Sequence, residues 1–120
     1  MNINTSAKTE TWLWLGQRLS AVVLAVCVVV HIVTMIFAMR GGLSTGEIAG
    51  RVGGNVWWLT FYGLFVLSVS VHAPIGIRAV LLESTPISAR RIGLLCMIFG
   101  LFIIVFGIKA VIGLYQLGPV

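Results

Sequence analysis

The chain has 120 residues, 59% of them hydrophobic and 9% charged, with a net charge of +5 and two cysteines. A mean hydropathy of +1.10 excludes an ordinary soluble domain. The basic excess is spread singly near the ends of apolar runs, which excludes a nucleic-acid-binding patch and fits the charge pattern that orients helices in a membrane.

In chain order, residues 1–10 are polar and are expected on the cytoplasmic surface. Trp12 and Trp14 follow and suit the headgroup region, where indole rings sit. Three apolar runs, at about 19–39, 56–80 and 92–114, each reach the ~20 residues needed to cross a bilayer. The expectation is an all-α membrane protein, a single transmembrane anchor domain over residues 1–120, with three transmembrane helices. Three helices enclose little private core, so they are expected to form part of a multi-helix bundle completed by a partner subunit. The first run is longer than a signal-peptide core and lacks a convincing cleavage site.

Residues 40–55 carry five glycines before Gly54 and read as a flexible external loop. Trp57 and Trp58 then reopen the apolar pattern. Pro74 interrupts the second run, either as a tolerated kink or as a tilt toward a ligand. The next connection is short and holds Pro86, which makes consecutive helices antiparallel neighbours. Gly93, Gly100 and Gly107 recur at heptad spacing on the third run, where helix packing is favoured over close approach of a flat cofactor. Cys27 and Cys96 fall inside spans and are expected to be packing residues. Weighing Lys8, Arg18, Arg78, Arg90 and Arg91 against Arg40 and Arg51 puts the N-terminus in the cytoplasm.

The two histidines, His31 and His72, both lie inside apolar runs, where an ionisable side chain is a functional candidate by default. An imidazole is also a natural axial ligand for haem iron. Ser20, Cys27, His31, Thr34 and Ala38 share one helical face, and so do Ser68, His72, Gly76 and Ala79. Each histidine thus stands in a stripe of small or weakly polar residues. Such a stripe suits a planar group held between helices, and it equally suits a simple interhelical hydrogen bond. With Arg18 and Arg78 as boundary markers, the helical rise puts His31 about 20 Å and His72 about 9 Å into the membrane. A gap of roughly 10 Å disfavours one haem shared by both and favours separate axial pairs completed by a partner subunit. Arg18 and Arg78 stand where haem propionates or a quinone headgroup need a cation, although arginines at helix ends are also ordinary topology markers.

The segments Gln17-Arg18-Leu19-Ser20-Ala21 and His72-Ala73-Pro74-Ile75-Gly76-Ile77-Arg78 resemble the cytochrome b membrane-anchor subunits of succinate dehydrogenase (complex II) and fumarate reductase. Those subunits show a His-Arg-x-Ser-Gly start and a His-x-x-x-Gly-Ile-Arg block. The resemblance implies His72 as an axial haem b ligand, Arg18 at the haem propionates and the quinone pocket, and Ser20 as the family serine. Relatives with two haems place one histidine deep in the first helix and one in the second, as His31 and His72 are placed, which favours two haems over one. The sequence departs from the pattern at Trp14, where a quinone-contacting serine falls, and at Gln17 and Ala79, where histidines are usual. Glu83 stands for a common aspartate, and Ser84 does not supply the sister anchor's tyrosine.

The resemblance further implies a flavoprotein subunit that handles the dicarboxylate, an iron–sulfur subunit, a second membrane-anchor subunit, surrounding lipid, and quinone as substrate near Arg18, Trp14 and Ser20. This chain is then not itself catalytic toward the dicarboxylate. Without a transit-like N-terminus, the expected location is the bacterial cytoplasmic (inner) membrane. The direction, succinate oxidation or fumarate reduction, stays open. The rival class is a small non-redox membrane protein, a transporter subunit or an assembly factor. Coupled transport usually needs an intramembrane carboxylate, whereas Glu10, Glu47 and Glu83 all lie at or beyond span ends.

Overall fold

A computed structural model describes residues 3–42 and 44–118. They form four helices in chain order: α1 (Ile3–Arg40), α2 (Thr45–Val52), α3 (Val56–Ser84) and α4 (Ala89–Gln116). The fold is an all-helical membrane bundle, with α1, α3 and α4 each long and apolar enough to span. Few side chains are buried within the chain, whereas large apolar residues such as Trp57, Leu64, Met97 and Phe102 are exposed along all three spans. In a membrane that surface meets lipid tails or further helices, so its exposure carries no hydrophobic penalty.

The long helices outrun the apolar stretches. A helix of 38 residues is about 57 Å long, against a hydrocarbon core of ~30 Å. The polar residues expected on the cytoplasmic surface continue α1 from Ile3; the expectation for Met1 and Asn2 lies outside the described residues. Thr11 supports this extension by donating to the Ala7 carbonyl at 2.9 Å. The extra turns pack beside the last turns of α3, where the Arg78 guanidinium donates to Glu10 at 2.8 and 3.4 Å.

The glycine-rich connection holds an element the glycine count hides. Ser44 caps α2 by accepting from the Glu47 N–H at 3.2 Å, and the Ser-x-x-Glu pattern there is that of a capping box. Gly54, at φ +68°, turns the chain into α3, and its N–H donates to the Tyr115 carbonyl at 2.7 Å. This bond ties the connection to the far end of α4.

α3 is the central helix, with α1 and α4 packed against it and scarcely against each other. The glycine stripe on α4 works mainly as a helix-packing stripe. A Cβ at Gly100 would meet Pro74 Cγ at 3.2 Å, and one at Gly107 would meet Val66 Cγ1 at 2.5 Å, while one at Gly93 would meet nothing within 4 Å. Pro74 lies within an unbroken helix assignment and is buried. It removes the N–H that the Ser70 carbonyl would otherwise accept, and this carbonyl faces Gly100. Cys27 and Cys96 are buried and free, on the two helices that flank α3.

Candidate functional site

The antiparallel seam between α1 and α3 brings each histidine to a hydroxyl on the other helix. Nδ1 of His72 lies 3.4 Å from Ser20 Oγ, and Nδ1 of His31 lies 3.4 Å from the Tyr62 hydroxyl. Ser20 and Cys27 are buried against this seam, and His31, Thr34 and Ala38 are half-buried. That is the face expected from their spacing. On α3, Ser68 is buried and His72 and Gly76 are half-buried, whereas Ala79 is exposed.

Ser20 Oγ lies within reach of both the Gln17 carbonyl, at 3.1 Å, and Nδ1 of His72. A serine has one proton to give, so while it donates to Gln17 it accepts from His72. In that arrangement Nδ1 of His72 carries the hydrogen and the lone pair resides on Nε2; with the serine proton turned to Nδ1 the tautomer is reversed. No hydrogen bond involves either Nε2 among the described residues. With Ser20 donating to Gln17, this is the state an imidazole needs to ligate iron: one nitrogen tied by a hydrogen bond, the other open. The residues present therefore fit a haem ligated by His72.

His31 sits in a different setting. Its ring meets Tyr62 and Phe65 edge-on, with centroids 6.0 Å apart in both cases, and Trp58 stacks on Tyr62 at 5.8 Å. The Tyr62 hydroxyl can donate or accept, so the tautomer of His31 is not dictated. His31 also fits an axial ligand, with Tyr62 in the role Ser20 plays for His72.

The two histidines cannot share an iron. From Ser20 to His31 the rise along α1 is about 16 Å, and from Tyr62 to His72 along α3 it is about 15 Å. Two nitrogens on one metal ion, each at about 2 Å, stand only about 4 Å apart. The separation exceeds the expected ~10 Å because Arg18 and Arg78 are not level: the register that pairs Ser20 with His72 sets Arg78 about four residues, or roughly 6 Å, beyond Arg18.

Arg18 is exposed and lies over the Trp14 ring, its guanidinium carbon 5.3 Å from the centroid. It makes no ion pair among the described residues. Trp14 in turn lines a pocket of about 210 Å³ with Glu10, Leu13, Gln17, Ile75, Arg78 and Ala79. Ser20 does not line that pocket; its hydroxyl serves His72. Gln17 is the residue the sequence undervalued: its side-chain Oε1 is buried without a hydrogen-bond partner. Tyr62 was missed as well, although Trp58, Phe61, Tyr62 and Phe65 recur at the three- and four-residue spacing of one helical face. No three His, Cys, Asp or Glu side chains converge among the described residues, and a single imidazole per iron requires no such cluster.

Residues 3–112 match the family model of the succinate dehydrogenase/fumarate reductase transmembrane subunit. The match covers Trp14, Arg18, Ser20, His31 and His72. Comparison with curated proteins and with solved structures gave no match. The three spans, the polar seam and a family match over nearly the whole length agree, and the chain belongs to the succinate dehydrogenase/fumarate reductase transmembrane subunit family.

Proposed function

We propose that this chain is the haem b-bearing anchor of a succinate dehydrogenase, passing electrons from an iron–sulfur subunit to quinone. The observation that carries the proposal is the Ser20–His72 contact, 3.4 Å long, on a serine that also reaches the Gln17 carbonyl. With the serine proton given to Gln17, Nε2 of His72 is an unprotonated donor inside a membrane span, where a free imidazole would otherwise be costly. Haem b in such a site supplies reversible one-electron storage on its iron.

The chain's own residues then have distinct tasks. His72 and His31 would hold separate haem irons, with a second anchor subunit completing each site. Ser20 and Tyr62 orient the two rings. Arg18, over the Trp14 ring, would offer a cation to haem propionates, and Trp14 would form one wall of the quinone pocket. A peripheral flavoprotein handles the dicarboxylate. The basic residues near the N-terminal end of the bundle support a cytoplasmic N-terminus in a bacterial inner membrane, with the iron–sulfur subunit docked on that side.

A reduced-minus-oxidised absorbance spectrum of the complex, purified through this chain, tests the proposal. A b-type haem band and haem-dependent quinone reduction are expected. A complex that assembles without any such band would refute the haem role.

A further inference from the structure

Lys109 lies within α4, and its level follows from the bond that ties the Gly54 N–H to the Tyr115 carbonyl at 2.7 Å. Six residues before Tyr115, it stands about 9 Å from that tie toward the membrane centre. The exposed Trp57 of α3, an interface marker, stands only about 5 Å from it. Lys109 is thus deeper than the indole level, in the half of the bilayer remote from Arg18. Gly107 faces Val66 of α3, and two residues further on the helix has turned about 200°, so Lys109 points away from α3. It is exposed and makes no ion pair among the described residues. A cation at that depth is costly until an anion meets it.

The same face of α4 carries a graded column. Phe102 and Phe106, seven and three residues nearer the membrane centre, are exposed, and their rings pair with centroids 4.4 Å apart. Gly113, one turn nearer the surface, is exposed, and a Cβ there would meet no atom within 4 Å. Gln116, seven residues beyond Lys109 and also exposed, ends the column with an amide that both donates and accepts. A Cα–Cβ bond tilts toward the N-terminus of its helix, which for Lys109 is toward the membrane centre. To bring its ammonium outward the side chain turns back past residue 113, as snorkelling lysines do, and the glycine leaves that path open.

The chain's three acidic residues do not provide the counter-ion. Glu10 pairs with Arg78, and Glu83 ends α3 on the same side of the membrane. Glu47 shares a small pocket with Arg51 and Ala38, at the end of α1. A symmetric second copy docked on this face would set lysine against lysine. The polar seam that calls for a partner subunit lies between α1 and α3, whereas Lys109 turns away from α3. No carboxylate stands beside Lys109 to receive the ammonium of a zwitterionic lipid head.

We propose that this face of α4 is a binding site for one anionic phospholipid, with its phosphodiester on the Lys109 ammonium, its head beside Gly113 and Gln116, and its acyl chains over Phe102 and Phe106. The site lies in the leaflet remote from Arg18 and is independent of haem and quinone. The lysine charge is neutralised by the lipid rather than by the protein, so the lipid is a bound component of the complex.

Native mass spectrometry of the whole complex in mild detergent, titrated with phosphatidylglycerol or phosphatidylcholine, tests this. The wild type is expected to hold one phosphatidylglycerol at least about fivefold more tightly than phosphatidylcholine, the worth of one lysine near an anionic surface. Lys109→Leu and Lys109→Gln, the second keeping a polar side chain should leucine hinder assembly, are each expected to lose about fivefold in that preference. Lys109→Arg should keep it. Gly113→Leu, which retains the charge and fills the path, should weaken the preference by about threefold. Equal affinity for the two lipids in the wild type, or a preference unchanged in Lys109→Gln, overturns the site. Release of a protein subunit from Lys109→Gln with the preference intact also overturns it, and would assign the lysine to a partner's carboxylate.

Discussion

Ser20→Ala removes one oxygen from the α1–α3 seam and tests the orientation of His72. At 3.4 Å the contact is long for a hydrogen bond, so its net worth lies near the low end of about 0.5–1.5 kcal/mol. Its loss also leaves a half-buried N–H unpaired, and partners that orient metal-bound histidines typically govern affinity by 10- to 100-fold. With haem ligated as proposed, an approximately tenfold weaker hold on haem is expected, or about 1.4 kcal/mol. The potential moves as well. A hydrogen bond accepted from the Nδ1 hydrogen makes the imidazole more basic and favours ferric iron, so its removal raises the midpoint. For a one-electron couple a tenfold preference corresponds to 59 mV, and a rise of some tens of mV is expected. Spectroelectrochemical titration of the complex reads both quantities. Ser20→Thr, which keeps the hydroxyl, should restore them. Unchanged haem content and midpoint in Ser20→Ala would refute the claim that Ser20 sets the state of His72.

Tyr62→Phe should disturb only the haem assigned to His31, shifting one component of a two-step redox titration and leaving the other in place. A shift of both components would contradict the separation of the two sites. On α4, Gly107→Ala puts a Cβ 2.5 Å from Val66 Cγ1, an overpacking expected to destabilise by about 1–3 kcal/mol. Gly93→Ala meets no atom within 4 Å and should change stability by less than about 0.5 kcal/mol. Thermal denaturation of the complex in detergent separates the two; equal effects would contradict the packing geometry at these heptad-spaced glycines.

Much of the fold is legible because apolar length and side-chain spacing are local properties. The three spans, and the shared inward face of Ser20, Cys27, His31, Thr34 and Ala38, need only the helical period. α2 escaped because a glycine count outweighed the Ser44-x-x-Glu47 cap that starts it. The histidine partners escaped for a different reason. Which hydroxyl meets which imidazole depends on the register of two helices separated by a long connection, and single-chain spacing does not carry that register. Once it is known, Ser20–His72 and His31–Tyr62 follow together. The same register shows why the arginines misled the depth reckoning: Arg78 reaches back to Glu10, so it does not mark the level of Arg18. Gln17 could be seen as a departure from a family pattern, but its buried and unpaired oxygen is a tertiary fact.

In the proposed function His72 and His31 ligate different irons. Haem quantitation and reduced-minus-oxidised spectra of His31→Ala and His72→Ala complexes test it most directly. Each variant is expected to lose about half of the b-type signal, since the register sets the two rings about 15 Å apart along the bundle. Loss of the entire signal from both variants would place both histidines on one iron and contradict the account.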